Sequence, residues 1–231
     1  KEINIEGIYE KDEISIISKI LSKKSNVIDI GANIGNHSLA ISKFSNKVYA
    51  FEAHPKTFEI LKFNCANNKK IKIFNVGISS KKGNLYFKNT KSNNFGGRRL
   101  GYSGSIKSKV NKLDNIINLN EKIDLIKIDI EGHEYQALIG MKKILSKNNS
   151  YLFIEFCEND VFKRKRIINF LTNHGYSNAY FFSEKEKFFK KNYINLFINI
   201  LKVIFLDTSL IKKNLINKNF NNLIKNKIKS N

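Results

Sequence analysis

Short apolar runs alternate with amphipathic stretches along the first two-thirds of the chain. Ile14, Ile17, Ile20 and Leu21 recur at helical spacing, which predicts a helix over residues 7–23. Residues 27–30 form a short, mostly apolar run that stops at a turn containing Gly31 and Gly35. Helical periodicity returns over 37–44, a second short run covers 48–51, and a helix is expected from Pro55 to about residue 67. Proline suits the first helical position, where its fixed φ fits and its missing N–H wastes no donor. Residues 71–76 complete a β-α-β-α-β series. Its near-continuous apolar strands and helical crossovers predict a parallel sheet covered on both faces.

The middle of the chain breaks this rhythm. Residues 85–88 and 105–110 read as strands around a Gly-, Asn- and Ser-rich stretch, 93–104, and 113–118 as a short helix. The section predicts an excursion at the edge of the domain. Strand, helix and strand then resume over 123–130, 134–146 and 151–156, followed by a helix over 161–174 and a last strand over 179–182. From Lys185 onward eleven lysines face only Glu186 and Asp207. The expected division is a helical lead-in over 1–26, one α/β domain over 27–183 and a basic extension over 184–231. Within the extension, 194–206 is too short to span a bilayer and predicts a packing helix or an amphipathic surface element.

Composition narrows the class of protein. With 42% hydrophobic and 26% charged residues the chain can bury a core, which excludes global disorder. It has no run of 18 apolar residues and no leader-like start, so the expectation is a cytoplasmic protein. The basic tail adds an expectation of contact with a membrane's inner face or an assembly partner. Cys65 and Cys157 stand far apart in no metal-ligand spacing and read as reduced, buried thiols. The net charge of +21 invites a nucleic-acid partner. Only four of the 41 basic residues are Arg, however, and Arg is the residue suited to bidentate phosphate and base recognition. A Lys-, Asn- and Ile-rich composition also follows from A/T-rich codons, so nucleic acid is disfavoured as a partner.

The first chemical signal is Asp29-Ile30-Gly31-Ala32-Asn33-Ile34-Gly35-Asn36, where a strand gives way to a helix. Two glycines there let the backbone turn tightly and a ligand approach. Glu52, at the end of the next strand and about 20 residues on, can accept hydrogen bonds from both ribose hydroxyls of an adenosine. The G-x-x-x-G spacing lacks the central glycine that serves a pyrophosphate, so a phosphate-free adenosine cofactor fits better than a dinucleotide. His37 reads as a capping or cofactor-wall residue; His54 and His174 carry no signal.

The second signal is Lys127-Ile128-Asp129-Ile130-Glu131-Gly132-His133-Glu134. Asp129, Glu131, His133 and Glu134 gather at the carboxyl end of a strand, where open α/β sheets place ligands. Acid–base work on a hydroxyl would suit this cluster. Two other readings stay open: capping of the following helix by its acidic residues, and a divalent cation held by Asp129, Glu131 and Glu155. No metal ligand is assigned.

Together, residues 27–36, Phe51-Glu52-Ala53-His54-Pro55 and the 125–134 run resemble the FkbM family of methyltransferases. The resemblance covers about 27–182, and Asn93-Asn94-Phe95-Gly96-Gly97 is similar to that family's Asn- and Gly-containing loop. It implies a class I, Rossmann-like, seven-stranded, mostly parallel sheet with helices on both faces. It further implies in-line methyl transfer from S-adenosyl-L-methionine to the hydroxyl of a sugar, glycan or small metabolite. Asp29, Gly31 and Gly35 would then contact the methionine part, Glu52 the ribose and Gly77 the adenine, with Ala32, Asn33, Asn36 and Ala53 also in the cofactor site, and Asp129 and the residues after it would face the reacting methyl. The rival readings are a methyltransferase-fold binding module docked by its basic tail, and an RNA methyltransferase. The latter lacks any N-P-P-[YF] motif for a flipped base.

Overall fold

The computed structural model describes residues 11–87, 99–155, 161–176, 178–183, 186–191 and 203–207. The calls on residues 7–10, on 88–98 with the Asn93–Gly97 loop, on Cys157 and on most of 192–231 lie outside the described residues.

Five parallel strands form the centre of the main sheet, in the order β3 (Ile71–Phe74), β2 (Lys47–Phe51), β1 (Asn26–Ile30), β8 (Leu125–Ile128), β9 (Tyr151–Glu155). Three more strands follow beyond β9: β12 (Val203–Asp207), β10 (Asn178–Ser183) and β11 (Glu186–Lys191). β12 runs antiparallel to both β9 and β10, and β11 antiparallel to β10. Four of the five residues of β1 and β2, and all four of β8, are buried, as strands covered on both faces must be.

Period-two alternation assigns the faces. Ile28, Ile30, Ile126, Ile128, Leu152 and Ile154 join one core cluster with Ala137 and Leu138 of α4 (Glu134–Ile139), Ile144 and Leu145 of α5 (Lys142–Lys147), and Ile167, Phe170 and Leu171 of α6 (Val161–Asn173). Val27, Val48, Leu125 and Phe153 turn to the other side. There they meet Ile14 and Ile17 of α1 (Lys11–Ile20) and Ala40 and Ile41 of α2 (Asn36–Ser42). α3 (Pro55–Cys65) packs Leu61 and Cys65 against Ala32 and Ala50. None of the helices among the described residues is long and apolar enough to cross a membrane.

The excursion is a second, four-stranded sheet in the order β4 (Gly77–Ile78), β7 (Ile106–Asn111), β5 (Gly83–Phe87), β6 (Leu100–Gly101). β4 and β7 are parallel, and the other pairs are antiparallel.

Four expectations change. The helix expected over 134–146 is two helices, because a Cβ at Gly140 would lie 2.1 Å from the Ser79 carbonyl oxygen and the chain turns at that contact. Both carboxylate oxygens of Asp114 then accept N–H groups of the new helix, from Lys143 and Ile144 at 3.0 Å each. Residues 113–118 yield only the 3-10 turn Leu113–Asn115. The lead-in is part of the core, since α1 contributes Ile14 and Ile17 to it. Finally, the main sheet has eight strands among the described residues, not seven, and does not end near residue 183. A short apolar run such as Val203 to Leu206 has no periodicity that separates strand from helix. In the sheet it supplies backbone partners to both β9 and β10.

Candidate active site

The chain leaves β1 through a turn whose conformation only glycine meets easily. Gly31 has φ +84°, and a Cβ on it would sit 1.8 Å from the Asp129 carbonyl oxygen. The Gly31 and Ala32 N–H groups both donate to the Phe51 carbonyl at 2.9 Å, so the turn is stapled to the end of β2. Gly35, at φ +96°, caps α2 and packs on Leu61 and Cys65. These glycines let secondary-structure elements approach one another.

Glu52 follows β2 and is 8% exposed. Its carboxylate accepts the Asn33 N–H at 2.9 Å and the His54 N–H at 2.7 Å. Burial pushes its carboxyl up to about 7, with those two N–H groups working in the opposite direction. A carboxylate has room for about four hydrogen bonds, so acceptor capacity remains for a ligand's hydroxyls. His54 in turn starts α3: its Nδ1 accepts the Thr57 N–H at 3.3 Å, and its ring edge meets Phe87 with centroids 5.0 Å apart.

These groups open onto a cleft of about 670 Å³, its solvent-open mouth included. Gly31, Asn33, Glu52, Ala53, Gly77, Asp129 and Glu131, all among the residues the sequence marks for cofactor or chemistry, line it. The Asn33 side-chain oxygen is buried without a hydrogen-bond partner, an acceptor suited to a ligand's N–H or O–H. Carboxylates at one end, an unmet acceptor and an apolar wall fit a cationic, hydroxyl-bearing adenosine cofactor.

The remaining expected site residues lie elsewhere. Asp29 is fully buried beneath the cleft and accepts the Ser38 hydroxyl at 2.6 Å. Ala32 and Gly35 are buried in packing, and Asn36 is an exposed first residue of α2. His133 bonds Ser79 through Nε2 at 3.0 Å, and burial pushes it down to about 4, so it stays neutral. Glu134, 3% exposed, accepts the Gly132 N–H at 2.7 Å, and burial raises its carboxyl. The capping reading therefore describes Glu134, and the lining of the cleft belongs to Asp129 and Glu131. Glu131 has φ +45°, directly before Gly132 at +91°. A non-glycine residue held there is strained, and such strain concentrates at functional sites.

His37 faces α1, its Nε2 3.5 Å from Glu13. Burial pushes Asp129 up, but the Lys127 ammonium, the Glu155 side chain and His37 outweigh it and hold the carboxyl below the ordinary range. Among the described residues no group of acidic, His or Cys side chains converges to hold a metal.

Sequence reading missed the apolar wall. Thr57, Val76, Phe87 and Leu100 line the cleft, the last two from the second sheet. They belong to no motif, and Phe87 and Leu100 stand side by side there as register partners of β5 and β6.

A family model for the methyltransferase FkbM domain matches residues 29–177. The chain is 31% identical over 143 residues to the hexuronic acid methyltransferase AglP of Haloferax volcanii, covering 61% of this chain and 59% of that protein. It is 24% identical over 172 residues to the 2-O-methyltransferase NoeI of Sinorhizobium fredii, covering 64% and 70%. The solved structure of a methyltransferase FkbM from Methylobacillus flagellatus superposes with a TM-score of 0.55 at 16% identity, covering 80% of this chain and 44% of that one. The chain thus spans less than two-thirds of two of these three proteins.

Proposed function

The chain belongs to the methyltransferase FkbM domain family, and from that premise we propose that it methylates a sugar hydroxyl in the cleft between Glu52 and Asp129. The carrying observation is that the Glu52 carboxylate and the Asp129–Glu131 pair line one cleft at the carboxyl ends of β2 and β8, the two parallel strands that flank β1. S-adenosyl-L-methionine, held there, would supply a sulfonium-activated methyl group, the sulfur keeping the bonding electrons. Glu52 takes the ribose hydroxyls through its remaining acceptor capacity. Gly31, Ala53 and Gly77 keep the floor open by presenting little or no side chain. Phe87, Leu100 and Val76 exclude water on the opposite wall. Glu131 accepts the proton released by the acceptor hydroxyl, and Asp129 orients that hydroxyl.

A sugar acceptor is supported by the two relatives above, one acting on a hexuronic acid and one at a 2-hydroxyl by their names. The test is transfer of labelled methyl from S-adenosyl-L-methionine to a panel of hexoses, hexuronic acids and their glycosides. Wild-type protein should label at least one, and Glu131→Gln should lower turnover by about 10²–10⁴, the usual contribution of a general base. Failure to bind S-adenosylhomocysteine by calorimetry would sink the proposal outright.

A further inference from the structure

Beneath the cleft lies a charge arrangement that methyl transfer, as described so far, does not use. Lys127 sits in the middle of β8, 2% exposed, on the face covered by α1 and α2. It is the register partner of Asp29 on β1 and of Phe153 on β9. Its ammonium is 2.9 Å from Asp129 Oδ2 and 3.9 Å from Asp29 Oδ1. Asp29 Oδ1 is itself buried with no hydrogen-bond partner, its other oxygen being taken by Ser38. Asp29 and Lys127 are sealed in; Asp129 alone reaches the cleft.

We propose that Lys127 is a positioning residue that joins Asp29 and Asp129 into one unit and holds the Asp129 carboxylate ionised and aimed into the cleft. The proposal rests on methyl transfer occurring in that cleft. Stability alone is a poor reason for the arrangement, since apolar residues of similar volume usually serve a core as well as buried ions or better. What the lysine supplies is a fixed positive charge in acidic surroundings. The titratable and charged groups around Asp129 are Asp29 on β1, Lys127 on β8, Glu155 on β9, Glu134 on α4, His37 on α2 with Glu13 of α1 behind it, and Glu52 and Glu131 at the cleft. Carboxylates dominate that list, so without Lys127 the proton would return to Asp129. A protonated Asp129 would offer a hydrogen where a hydroxyl or ammonium needs an acceptor. Asp29, read from sequence as a cofactor contact, acts through Lys127 instead.

The full-length protein, Lys127→Met and Lys127→Arg are compared in two measurements. The Asp129 carboxyl is titrated by carbon-13 NMR without ligand, assigned with Asp129→Asn, and S-adenosylhomocysteine affinity is measured from pH 5 to 9. In wild type Asp129 should stay ionised throughout. In Lys127→Met its titration should move up by about 1–3 pH units, the usual effect of losing an adjacent opposite charge. Binding should fall more steeply in acid than in wild type, where protonation of Glu52 alone weakens it, and Lys127→Arg should restore most of the wild-type curve. An unmoved Asp129 titration in Lys127→Met overturns the proposal. If that variant does not fold, Asp29→Asn decides: with the ammonium left to Asp129 alone the titration should move down, and a move up overturns the proposal. The NMR measurement needs no ligand, so a wild type that binds no S-adenosylhomocysteine would refute the methyltransferase reading separately.

Discussion

Replacing Gly31 with Ala would put a methyl carbon 1.8 Å from the Asp129 carbonyl oxygen. Ordinary carbon–oxygen contact begins near 3.3 Å, so a gap of roughly 1.5 Å would have to open. The obstacle is backbone at the end of β8, pinned by the Asp129 N–H donating to the Ile30 carbonyl at 2.9 Å, and no rotamer change relieves it. The left-handed conformation of residue 31 costs an alanine about 1–2 kcal/mol. Forcing the two strand ends apart adds about 1–3 kcal/mol by analogy with overpacked cores. The expected loss is therefore about 2–5 kcal/mol, against a total stability of roughly 5–15 kcal/mol. Urea unfolding followed by circular dichroism reads it as a midpoint lowered by about 1 M, given slopes of up to about 3 kcal/mol per M. Two controls rank the effect. Gly35→Ala carries the same conformational strain but meets the movable ends of Leu61 and Cys65, so it should fall between Gly31→Ala and wild type. Gly83→Ala has nothing within 4 Å and should stay within about 0.5 kcal/mol of wild type. A Gly31→Ala protein as stable as Gly83→Ala would refute the close-approach argument.

Two further predictions concern the acidic groups. Glu52 has its carboxyl raised to about 7 before a ligand arrives, and hydroxyl donors favour the ionised form. S-adenosylhomocysteine affinity should therefore weaken as pH falls below about 7, towards tenfold per pH unit, and Glu52→Gln should flatten the profile; calorimetry at pH 5.5 to 8.5 checks both. Glu134→Ala should cost about 0.5–1.5 kcal/mol in thermal unfolding, the net size of its hydrogen bond from Gly132, and leave methyl transfer within a few-fold of wild type. A collapse of turnover with unchanged stability would return Glu134 to the chemistry.

The five parallel strands of the main sheet were legible because each is a compact apolar run, and all but β3 lead into a helix. The placing of Glu52 and Asp129 at the cleft was legible because each stands where an apolar strand ends. The burial of Asp29 was not, since a carboxylate near a strand's end looks the same whether it faces open space or a lysine on the next strand. Lys127 was hidden for the matching reason: within Leu125-Ile126-Lys127-Ile128 a charge at period two reads as a solvated position. Only the register with β1, and the helices lying over that face, show that the position is interior. The break at Gly140 depends on Ser79, about sixty residues away, and no local pattern carries it.

The inner strand of the second sheet is anchored to the main body by Ile78 in the main core, by the Gly140–Ser79 contact, by the bond between His133 and Ser79 and by the packing of Gly77 against Ala53. β5 meets the main body through the Phe87–His54 ring contact. β5 and β6 lie outboard of that inner strand, and they carry Phe87 and Leu100. The cleft thus has a floor locked into the interior and a wall hung from a peripheral ribbon. A change of length or side chain in that ribbon resizes the chamber, while Glu52, Asp129 and the glycine turn keep their places. Under the function proposed above, substitutions on β5 and β6 are the changes that alter what the cleft admits at least cost to its carboxylates.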